Sequence, residues 1–111
     1  MKIHDLRRKI DAIDNAMLHL LNLRIELALE VGKVKSSKGL ALRVPAREQE
    51  ILTRMKELNA GPLDGQSIER IYQAILDESI RTQVIHGCGK EFLDESSERA
   101  PRKDAERLVK P

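Results

Sequence analysis

With 111 residues, 41% hydrophobic and 34% charged, the chain has the size and balance of a single folded domain. Aromatic residues make up only 2%, with one Phe, one Tyr and no Trp, so any core must be aliphatic, which favours packed helices over a sheet sandwich. A net charge of +2 is too small to argue for nucleic acid, the lone Cys88 excludes an internal disulfide, and no run of about 18 apolar residues offers a membrane span. Neither nucleic acid nor membrane is expected as a partner, and a cytoplasmic setting is.

In chain order, the first apolar residues are Ile3, Leu6, Ile10, Ile13, Met17, Leu20, Leu27, Val31 and Val34. They alternate in steps of three and four, and the rhythm holds throughout only if Arg24 is counted as one of its positions. That seam predicts one helix of roughly 34 residues and about 50 Å, ending near Ser36 to Gly39, where Gly39 can close it. A compact chain of this size has a radius of gyration of about 13 Å, so the far half of such a rod needs a partner, and a second copy is the simplest one. Pro45 suits the first turn of a second helix, Ala46 to about Asn59, with Ile51, Leu52, Met55 and Leu58 on one side. A turn cluster from Asn59 to Gly65 leads into a third helix, capped by Asp64 or Ser67 and running to about Ile85. Its inner face reads Ile68, Ile71, Tyr72, Ile75 and Leu76, and then Ser79 and Gln83. Residues 1–85 are read as the working domain. Residues 86–111, with mixed charge, two early glycines and two prolines, are read as a charged tail, flexible or weakly helical.

Polar residues break the apolar pattern at several places. Arg24 interrupts the seam, and Lys35, eleven residues on, lies about 20° from it in azimuth, so the two cations look out on one side. Ser79 and Gln83 sit one turn apart on the third helix, and Arg47 and Glu48 open the second. Each has an ordinary structural reading. Arg24 can fix register, Lys35 and Glu48 suit helix dipoles, Ser79 and Gln83 can mark emergence into solvent, and Arg7 belongs to a basic run with Arg8 and Lys9. Taken together, cations, one carboxylate and two neutral hydrogen-bonding groups on inward faces of different helices describe a site for a small polyanion, since buried positive charge needs a counter-ion. There is no Gly-rich phosphate loop, metal-spaced His/Cys cluster or nucleophile elbow, so no cofactor and no metal are expected.

Four segments carry a family resemblance: L-R-x-K-I-D-x-I-D from Leu6, R-x-x-L-A-x-x-V-G-x-x-K from Arg24, R-E-x-x-I-L from Arg47, and S-x-x-x-Q from Ser79. In this order and spacing they resemble the all-helical (type II) chorismate mutases, over about residues 3–85. The resemblance implies an all-α fold, a three-helix protomer with a very long first helix in an intertwined helical homodimer, and rearrangement of chorismate to prephenate in phenylalanine and tyrosine biosynthesis. It implies that Arg24, Lys35 and Arg47 hold the substrate, with Arg7 donated to the partner's site. It further implies that Glu48 accepts from the substrate hydroxyl, that Ser79 contacts a carboxylate, and that Gln83 and Lys35 reach the ether oxygen. Lys35, Gln83 and Glu48 are thus the expected catalytic residues. Where the family commonly has an acid, this chain has Val44, which leaves at most a backbone group for that hydroxyl contact. Some members are boosted by another shikimate-pathway enzyme, so an activating partner of that kind belongs to the expectation. Two alternatives stay open: an isochorismate pyruvate lyase on the same scaffold, and a non-enzymatic helical dimerisation module.

Overall fold

The computed structural model describes residues 1–89, which form three α-helices and no strand: α1 (Ile3–Ser37), α2 (Pro45–Leu58) and α3 (Gly65–Ile85). The all-α expectation holds, with helix boundaries within a residue or two of those read from the sequence. Beyond Gly89, the stretch read as a charged tail lies outside the described residues.

The helix ends follow from local chemistry. At the end of α1, Gly39 adopts φ 68°, while its N–H donates to the Ser36 carbonyl (3.2 Å) and the Leu40 N–H to the Lys35 carbonyl (2.8 Å). This double closure satisfies carbonyls that the helix leaves open, in a conformation that glycine adopts without steric cost. Pro45 opens α2, and Asp64 caps α3 by accepting from the Ser67 N–H at 2.8 Å. The end of α3 repeats the closure of α1: Gly87 has φ 89°, its N–H donates to the Val84 carbonyl, and the Cys88 N–H donates to the Gln83 carbonyl, both at 2.9 Å. The first residues of the stretch read as a tail are therefore packed. Cys88 is buried, and the Gly89 N–H donates to Ser36 Oγ.

α3 packs against both of the other helices. Ile51, Leu52 and Leu76 form the α2/α3 core, with Met55 and Tyr72 against it. Leu58 and Ile71, expected on inner faces, are 67% and 45% exposed. Leu58 is the last residue of α2, and Ile71 flanks the buried stripe of α3 that runs through Ile68, Leu76, Ser79 and Gln83. Against α1, contact follows a four-residue stripe: Arg24 meets Ser79, Ala28 meets Gln83, Gly32 lies under Gln83 and Cys88, and Ser36 meets Gly89. Both series ascend together, so the C-terminal half of α1 runs parallel to α3. Every residue from Met1 to Leu23 is exposed. The half-helix that projects carries Ile3, Leu6, Ile10, Ile13, Met17 and Leu20, each at least 46% exposed. The radius of gyration is 17.4 Å, against about 13 Å for a compact chain of this length.

Candidate active site

Ser79 and Gln83 are the polar members of α3's buried stripe, 7% and 4% exposed. Ser79 Oγ donates to the Ile75 carbonyl one turn back (2.9 Å), which leaves its lone pairs to accept from Arg24 Nη1 at 3.1 Å. The Gln83 amide nitrogen donates to the Ala28 carbonyl at 2.6 Å, which fixes the amide's orientation, since the oxygen could not face a carbonyl. With the nitrogen so placed, Gln83 Oε1 is buried without a hydrogen-bond partner among the described residues. An orphan acceptor of this kind costs about 1–3 kcal/mol. The close approach is possible because position 32 is glycine: a Cβ there would stand 3.0 Å from Gln83 Cγ and 2.9 Å from Cys88 Sγ.

These side chains open onto a pocket of about 340 Å³ bounded by all three helices and the α1/α2 loop. Among the described residues, four cations line it, Arg24, Lys35, Arg47 and Arg54, and Glu48 is the one carboxylate. Leu27, Val31, Ile51 and Leu76 supply apolar wall. The Lys35 ammonium reaches over the loop and donates to the Leu42 carbonyl at 2.8 Å. Arg47 pairs along its own helix with Glu50. Glu48, its side chain 15% exposed, accepts from Arg43 Nη1 at 2.9 Å, while Nη2 of the same guanidinium donates to Asp77 on α3, also at 2.9 Å. That hydrogen bond, followed by one from Gln73, holds the Asp77 carboxyl below the usual carboxylate range.

The pocket gathers Arg24, Lys35, Val44, Arg47, Glu48, Ser79 and Gln83 from the residues singled out in the sequence. Arg7 is not among them. It sits on the exposed half of α1, about 25 Å along the axis from Arg24, too far to share one small ligand within this chain. Arg43, Arg54 and Asp77 were not singled out. Arg54 lies two turns beyond Arg47, on the same face of α2, and that spacing is a usable signal. The clamp made by Arg43 has none, because its partner Asp77 is 34 residues away. Among the described residues no cluster of metal-ligating side chains is present.

Fold and pocket together define a class: all-helical proteins that hold a small anionic molecule between helices, with guanidinium and ammonium groups as the dominant polar lining. A model of the family "Chorismate mutase type II" matches residues 6–84, and the chain belongs to that family. It is 30% identical over 96 residues to the chorismate mutase of Methanocaldococcus jannaschii, covering 86% of this chain and 91% of that protein. It is 37% identical over 79 residues to the bifunctional chorismate mutase/prephenate dehydratase of Aquifex aeolicus, covering 68% of this chain and 22% of that one. The chain spans about a fifth of the length of such bifunctional relatives. Among solved structures, the form II chorismate mutase of Thermus thermophilus superposes with a TM-score of 0.74 at 28% identity, covering 76% of this chain and 96% of that one.

Proposed function

We propose that this chain is a chorismate mutase acting as a homodimer, converting chorismate to prephenate. The observation that carries the proposal is a pocket in which cations from α1 and α2 face a hydroxyl and an amide from α3. A [3,3] rearrangement breaks a C–O bond and forms a C–C bond within one molecule, with no proton transferred. Catalysis then rests on holding the reactive chair-like conformer and stabilising charge that grows on the ether oxygen. In this reading Arg24 and Arg47 clamp the two carboxylates, with Ser79 beside Arg24. Fixed, planar guanidinium groups suit that task. The Lys35 ammonium and the second N–H of the Gln83 amide serve the ether oxygen, and Glu48 accepts from the ring hydroxyl. Val44 offers no side-chain acceptor to that hydroxyl, which accords with modest intrinsic activity and with an activating shikimate-pathway enzyme as a partner.

The dimer supplies what one chain lacks. The exposed stripe from Ile3 to Leu20 needs cover, and an antiparallel second copy of α1 would bring Arg7 of the partner toward the open side of the pocket. The test is direct: purified protein is given chorismate, and consumption and product are followed alongside sedimentation. Prephenate formed well above the uncatalysed rate by a dimer is the expected result. No acceleration, or pyruvate released from isochorismate instead, overturns it.

A further inference from the structure

We infer that Arg43, held from behind by Asp77, is a positioning residue for Glu48: it occupies one carboxylate oxygen so that the other is fixed toward the ring hydroxyl of the substrate. The inference deepens the proposed function and rests on its reading of Glu48.

Three observations carry it. One guanidinium spans two carboxylates from different helices, with Nη1 on Glu48 Oε1 and Nη2 on Asp77 Oδ1, each at 2.9 Å. The arrangement is graded in exposure, with side chains 54% exposed at Asp77, 41% at Arg43 and 15% at Glu48, so the chain of contacts runs from solvent inward to the pocket wall. Glu48 lines the pocket, whereas Arg43 and Asp77 do not. A carboxylate that accepts at Oε1 from a planar, rigid donor keeps Oε2 as the acceptor left for a ligand, and the fixed fork of the guanidinium sets its direction. Exposed ion pairs contribute little to stability, so a clamp of this kind is expected to show in ligand discrimination more than in melting temperature.

The experiment compares two rigid dicarboxylate ethers that mimic the rearranging skeleton, one with and one without the ring hydroxyl, titrated calorimetrically into the full chain and into its variants. Arg43→Ala is expected to weaken the hydroxyl-bearing ligand about tenfold while leaving the hydroxyl-free ligand within about twofold and the melting temperature unchanged. Arg43→Lys, which keeps the charge but loses the fork, should behave like Arg43→Ala, and Asp77→Asn should shift the same ligand in the same direction by about threefold. Glu48→Gln should reproduce the pattern, and Arg43→Ala should add nothing on top of it. Equal loss on both ligands, or no loss on either, overturns the role given to Arg43. If Glu48→Gln itself fails to discriminate between the ligands, the reading of Glu48 is what fails, and the inference falls with it.

Discussion

At the scale of single residues, the site's legibility depended on contrast. Arg24, Ser79 and Gln83 stood out because each is polar at a position where helical periodicity calls for an apolar side chain, and all three meet α1/α3 partners in the structure. Arg43 had no such background, being a loop residue whose partners are set by tertiary packing. Gly32 was legible only as a letter of the family pattern, and the structure gives it a reason. Alanine in a helix interior normally gains about 1 kcal/mol over glycine. Here its Cβ would press on Cys88 Sγ at 2.9 Å and on the Gln83 stem at 3.0 Å, and overpacking typically costs about 1–3 kcal/mol. Gly32→Ala is therefore expected to lower the urea midpoint rather than raise it, and to reduce turnover by displacing Gln83. At Gln83 itself, glutamate can donate to the Ala28 carbonyl or to a ligand only when protonated, and burial favours that neutral form. The Gln83→Glu enzyme should keep activity at acidic pH and lose it toward neutrality, whereas the parent profile should stay flat across the same range. The measurement is kcat against pH for both proteins.

At the scale of elements, Pro45, Gly39 and Asp64 announced their boundaries because each has a backbone or capping preference that few other residues share. The closure at Gly87 used the same chemistry and went unread, because the charged sequence after it carries the composition of a tail. Alanine at Gly87 would have to adopt φ 89°, and the expected loss is about 1 kcal/mol of stability in chemical denaturation. The α3 cap also titrates. The Ser67 backbone N–H, followed by the Ser67 side chain, holds the Asp64 carboxyl below its ordinary range. The unfolded chain then binds more protons than the folded one near the ordinary carboxylate pKa. The cap's contribution is present above that value and is lost as pH falls through the lower, folded one. Asp64→Asn, which caps without titrating, should match the parent near neutrality and show a shallower loss of melting temperature in acid.

At the scale of the whole molecule, the length of α1 was legible from the seam, and so was the need for something to cover it. What the sequence could not supply was the division of labour along that helix: a C-terminal half packed on α3 and an N-terminal half with no neighbour among the described residues of its own chain. Under the proposed dimer, each pocket draws Lys35 from one chain and Arg7 from the other. Arg7→Ala and Lys35→Ala proteins should each be nearly inactive. Refolded together in equal amounts, they should recover about a quarter of the parent activity, because half the dimers are mixed and each mixed dimer holds one intact site. No recovery would place Arg7 outside the site.

The unsupported first two dozen residues carry a consequence for how this molecule comes into being. A helical segment of that length is marginal by itself in water, so it acquires its shape only when another chain arrives to lie against it. Assembly and maturation of the fold then become one bimolecular event, refolding speeds up as the solution is concentrated, and the denaturation midpoint climbs with protein concentration.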